Sequence, residues 1–159
     1  MRFRTARPQL AVRPGERLLA WAETAAGTVG GTRDALYLPD GTRLPWEEVE
    51  AADWDRDEAT LVVAEVGTWG EVRRQHRLAI DEPGRLLELV RERVTASIVL
   101  QRHVAVASGK GLRVIARRAP RGDRPIAWVY EFDEGVDPED PAVRDLAEQA
   151  FAAARAEVE

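Results

Sequence analysis

Only two stretches of this chain repeat their apolar residues at helical spacing, and that limits what the rest can be. Leu86, Leu87, Val90 and Val94 form one stripe; Val143, Leu146, Ala147, Ala150, Phe151 and Ala154 form the other. Elsewhere the apolar residues fall into short β-branched or aromatic runs broken by glycine and proline. These runs are RLLAWAET (17–24), TVGGTR and DALYL (28–38), ATLVVAEV (59–66), EVRRQHRLAI (71–80), SIVLQRHVAV (97–106), LRVIARRA (112–119) and IAWVYEF (126–132). Such runs between turn signals predict strands. The expected class is therefore α+β, with hairpin-linked strands, one helix midway and one at the end.

Local signals sharpen this outline. Pro14-Gly15 and Pro39-Asp40-Gly41 mark turns, and Gly30-Gly31 signals a bulge or a close backbone approach. Asp81 is the expected N-cap of the first helix, and Asp140, followed by Pro141, that of the second. The segment RLPWEEVEAADWD (43–55) crowds two tryptophans and five carboxylates together, so it is either an acid/base site or a fold signature. Periodicity favours the signature. Pro45 opens one helical turn that points Trp46 and Val49 inward and Glu47 and Glu48 to water. Alternation then sets Ala52 and Trp54 on one face and Ala51, Asp53 and Asp55 on the other, which leaves the acids on the wet side. The expected core contains Trp21, Trp46, Val49 and Trp54 in the first part of the chain. In the second, Trp128, in a stripe with Ile126, Tyr130 and Phe132, meets Phe151 of the last helix.

Three segments are expected: a basic arm (1–15), a first unit (16–95) and a β-β-β-α unit (96–159). Net charge is −5, which disfavours bulk affinity for nucleic acid or an anionic membrane. The distribution is uneven: Arg2, Arg4, Arg7 and Arg13 open the chain, and Lys110, Arg113, Arg117, Arg118, Arg121 and Arg124 crowd one hairpin. Lys110 is the sole lysine and asparagine is absent, a bias expected of a high-GC bacterium. Cysteine is absent too, so disulfides, thiolate nucleophiles and Cys-ligated metals are excluded. No apolar run approaches the roughly 18 residues that span a bilayer, and the arginine-rich start lacks a signal-type apolar core. The expected location is the cytoplasm, with no membrane association.

The catalytic inventory is empty. His76 and His103 lie on strands as packed or rim residues, with no second histidine at ligand spacing, so no metal is expected. Ser97 and Ser108 lie outside any G-x-S-x-G turn. Gly109-Lys110-Gly111 has glycine where a phosphate loop needs Ser or Thr, and reads as a hairpin turn. No catalytic residue and no cofactor is assigned.

Residues 16–94 resemble bacterial pleckstrin-homology-like (PH-like) domains. Gly31-Thr32-Arg33-Asp34-Ala35-Leu36 stands in the place of the family's T-x-x-R-L strand, and Leu44-Pro45-Trp46-Glu47-Glu48-Val49 in that of its I-P-W/Y-x-x-I turn. The whole chain is similar to uncharacterised proteins of high-GC bacteria. The resemblance implies a partly open antiparallel barrel closed by a helix, here with about six strands, that binds peptides, proteins or itself. A lipid headgroup function is not implied, because Ala25-Ala26-Gly27-Thr28 stands where a basic phosphate-binding loop would be. The expected function is a non-enzymatic interaction or scaffold protein that binds an unknown protein, or itself, by hydrophobic docking onto an exposed strand edge or groove, with Arg117, Arg118, Arg121 and Arg124 steering the partner. Two alternatives remain. An α-β-β-β-α order similar to a double-stranded-RNA-binding domain would use the basic hairpin, although Asp137, Glu139 and Asp140 repel phosphate at the last helix. An acid/base hydrolase would use Glu47, Asp53 or Asp55 near Trp46.

Overall fold

A computed structural model describes residues 10–67, 73–107, 109–122 and 125–158. Among them, ten strands form three antiparallel sheets accompanied by two α-helices, and no sheet closes into a barrel. The α+β class is as the sequence implies. The first sheet runs in chain order through β1 (Ala20–Thr24), β2 (Gly27–Gly31), β3 (Ala35–Tyr37) and β4 (Arg43–Pro45). A single 3-10 turn at Trp46–Glu48 leads into the second sheet, β5 (Val49–Asp55), β6 (Thr60–Glu65) and β7 (Gln75–Ala79). Helix α1 (Leu86–Ala96) packs over β5, β1 and β2. The third sheet holds β9 (Lys110–Arg117) between β8 (Ile98–Ala107) and β10 (Ala127–Phe132), and α2 (Pro141–Val158) lies across β8 and β9.

The first unit has seven strands rather than about six, because TVGGTRDALYL is two strands and Arg43–Pro45 is a third short one. Thr32 makes the corner between β2 and β3: its hydroxyl accepts from the amides of Asp34 and Ala35, each at 3.1 Å. Trp46 is fully buried, and its indole N–H donates to the Thr32 carbonyl at 2.9 Å. Gly31 shows why a glycine stands there, since a Cβ would lie 3.1 Å from Trp46 and 2.7 Å from Leu89. The close approach read from Gly30-Gly31 is therefore real, and Trp46 joins the two stretches that carry the sequence resemblance. Leu36, Leu44, Val49, Leu61, Val63, Ile80 and Leu86 complete this core, with Trp54 packed at its margin.

A second core, sharing no residue with the first, gathers Leu112, Val114, Val143, Ala147 and Ala154. Trp128, Tyr130, Phe132 and Phe151 pack against it, and the Trp128 and Phe151 rings meet edge to face at 5.2 Å. Asp140 caps α2 as expected, its carboxylate accepting from the Ala142 amide at 2.9 Å. No helix of the described residues is long and apolar enough to cross a membrane.

Three expectations are corrected. Trp21 is only half-buried and lies outside the core, because β1 turns Ala20 and Ala22 inward instead. Asp81 does not cap α1: the helix begins at Leu86, since Gly84 at φ +53° cannot continue a helical turn. The acids after Trp46 do not all face water, for Glu50 is buried. A bulge between Val49 and Ala51 inserts Glu50 as an extra residue, so that Val49 and Glu50 are buried in succession. Within the expected basic arm, the Arg13 amide donates to the Tyr37 hydroxyl at 2.9 Å.

Candidate functional site

The two cores meet at a seam lined with polar and charged groups. Pairing register gives β9 two unlike faces: Leu112, Val114 and Ala116 turn toward α2, while Arg113, Ile115 and Arg117 turn away from it. Ile115 and Val129, neighbours on that second face, are both buried and belong to neither core. Arg117 extends from the same face into the first unit. Its two terminal nitrogens donate to the Ser97 hydroxyl and to the Glu50 carbonyl, each at 2.8 Å, while Ser97 in turn donates to the Val94 carbonyl at 2.7 Å.

Glu50 is the acidic centre of this seam, with its side chain only 3% exposed. One carboxyl oxygen lies against Arg73 Nε, and Arg73 also donates to the Tyr130 carbonyl at 3.2 Å. The other oxygen and Arg117 Nε have no hydrogen-bond partner among the described residues. Burial pushes the Glu50 carboxyl up to about 7, with Glu131 adding to the rise and Arg73 and Arg117 opposing it. Burial likewise lowers the pKa of Arg117, against the attraction of Glu50 and Glu131.

The proposed steering arginines are thereby dispersed. Arg117 is 1% exposed, so it is withdrawn from any partner surface; its role is to join the two units. Arg121 pairs with Asp34 at 2.9 Å, which also fastens the hairpin to the first unit. Arg118 is exposed, and its amide donates to the Ser97 carbonyl at 2.9 Å. Arg124 lies outside the described residues, as do Ser108, Trp69 and residues 1–9. Beside the Arg121 bridge lies a cleft of about 190 Å³, bordered by Arg13, Glu16, Asp34, Arg43 and Glu47. Glu16 is occupied there, accepting from Thr32 at 2.6 Å, Tyr37 at 3.0 Å and Arg43 at 2.9 Å. Burial works against its ionisation, but these bonds and the Arg43 charge outweigh it and hold the carboxyl below its usual range.

The carboxylates considered for hydrolysis are scattered in role. Asp53 is exposed, Asp55 accepts the Glu58 amide at 3.1 Å in a turn, and Glu47 borders the cleft. The acid with the raised pKa is instead Glu50. Sequence reasoning overlooked it, though Glu50 has the same parity as Ala52 and Trp54, the inward residues of β5. Arg117 also left a signal, for it shares a strand face with Ile115. His76 is half-buried and bonded to Glu65 at 2.6 Å, and His103 is exposed on β8. No group of three or more His, Asp or Glu side chains could hold a metal among the described residues.

The other distinctive surface is the outer edge of β8. This ten-residue strand pairs only with β9, leaving its far side unpaired among the described residues. Bulges at Val99 and Val106 bound a regular central run, and Val99 is 42% exposed. Arg102 turns toward α2 and pairs with Glu157 at 3.0 Å; His103 turns to the opposite face, 3.7 Å from Asp133. Compared with known protein families, curated proteins and solved structures, the chain finds no match.

Proposed function

We propose that this is a non-enzymatic interaction protein, a PH-like unit joined to a β-β-β-α unit, that binds an extended segment of a protein partner along the β8 edge. The PH-like part of the reading is supported by strand order: four strands in one sheet, three in the next, then a helix over β5. The observation that carries the binding part is the free edge of β8. Unpaired amides and carbonyls along such an edge can add a strand, and side chains on alternate faces then select its sequence.

Arg102 sets the preference. Antiparallel pairing of two copies about Arg102 would bring two guanidinium groups together, whereas a strand bearing a carboxylate would meet Arg102 favourably. Its present partner exchanges readily, because the Arg102–Glu157 pair is about half-exposed on both sides and such pairs contribute little. The hydrolase alternative lacks support from Glu50, since a side chain 3% exposed is beyond a substrate's reach. The nucleic-acid alternative loses two supports. Arg117 and Arg121 are engaged by the first unit, and α1 contributes Leu86, Leu89 and Val90 to the first core.

The test is capture of partners from nuclease-treated lysate by the wild-type chain and by Val99→Glu and His103→Glu variants. Recovery of the same protein by wild type, with loss in both folded variants, supports the reading. Equal recovery by all three, or recovery that nuclease abolishes, refutes it.

A further inference from the structure

We propose that the seam is a proton-gated latch, closed while Glu50 is protonated and released when its carboxyl is charged. Its position supplies the reason. The two units have separate cores and are joined by bonds that Arg117, Arg73 and Arg121 make across the seam, beside the buried Ile115 and Val129. Glu50 sits in that seam at the bulge between Val49 and Ala51, its side chain 3% exposed.

What closure changes for Glu50 decides the direction. Arg73 belongs to the first unit and accompanies Glu50 whether the seam is open or closed, so it does not drive opening. Closure removes water and brings up Glu131 of β10 and Arg117 of β9. Burial is the largest influence on the carboxyl, and the repulsion of Glu131 exceeds the attraction of Arg117. Arg117 donates to the Glu50 carbonyl rather than to its carboxylate, which accounts for its weaker hold. Other charged groups on elements packed against β5 are engaged elsewhere: Glu65 of β6 with His76, Arg93 of α1 with Glu92, and Arg113 of β9 with Glu131. Closure therefore favours the neutral carboxyl.

Burial in the closed seam raises the Glu50 carboxyl from its ordinary 4.5 to about 7. Between those values the closing equilibrium weakens by about tenfold per pH unit, for a total on the order of a hundredfold. The measurement is single-molecule energy transfer between dyes on Arg33→Cys and Ala153→Cys. Both sites are exposed, one in each unit, and the chain has no cysteine of its own. The open population should grow from pH 5 to 7.5 and then level off. Glu50→Gln should stay closed throughout. Glu131→Gln, which leaves Glu50 in place, should shift the opening to lower pH and reduce its extent. Distances that do not change with pH in the wild type, or an equal change in folded Glu50→Gln, would overturn the latch. So would a Glu131→Gln profile identical to wild type.

Discussion

Replacing Arg117 with alanine separates a seam residue from a surface one. In the structure Arg117 makes two charged hydrogen bonds, to Ser97 and to the Glu50 carbonyl, each at 2.8 Å. Bonds of this kind contribute about 1.5–3 kcal/mol each, and the Glu50 carbonyl left behind is a buried acceptor without that donor. Relief of guanidinium burial offsets part of the loss. The expected net destabilisation is about 3 kcal/mol. Urea unfolding followed by tryptophan fluorescence reads it directly, and for a chain of this size the midpoint should fall by about 1–2 M. Arg118→Ala is the internal comparison, for Arg118 is exposed and its bond uses the backbone amide. It should change stability by no more than about 0.5 kcal/mol. If both variants unfold with the wild type, Arg117 does not bind the two units together and the seam account fails.

Trp46→Phe should lose about 2 kcal/mol, because it shrinks a fully buried ring and strands the Thr32 carbonyl; calorimetry with a near-native midpoint would contradict this. Asp140→Ala removes the cap of α2 and should lower stability by about 1 kcal/mol by chemical denaturation, with no loss indicating that α2 starts without it. Glu16 has a depressed folded pKa, so its contribution is present above about 4.5 and lost as pH falls through the folded value. Glu16→Gln should be less stable than wild type at pH 7 and approach it in acid; a constant difference across pH 2–7 would refute the assignment.

Much of the fold was legible because it depends on local periodicity. The two helical stripes lie in α1 and α2, the Trp128 stripe meets Phe151, and Trp46 is buried as its spacing requires. Failures occurred where tertiary packing overrides a local pattern. Alternation cannot tell which face of β1 is inward, and the small residues Ala20 and Ala22 occupy it while Trp21 does not. A run of arginines reads as a solvated hairpin, yet β9 is the central strand of its sheet and is covered on both faces, so Arg117 is buried. Glu50 escaped notice because the acids of this segment were read together as the wet side, although Glu50 shares the parity of the inward residues Ala52 and Trp54. An exposed edge was expected, but that β8 supplies it was unreadable in advance, for strand order within a sheet is a long-range property.

Hydrogen exchange of the chain alone and with its captured partner tests the central claim most directly. Binding along the β8 edge predicts new protection at amides within residues 98–107, falling away in the Val99→Glu variant. Protection confined to the first unit, with exchange in 98–107 unchanged, would place the partner elsewhere and contradict the account.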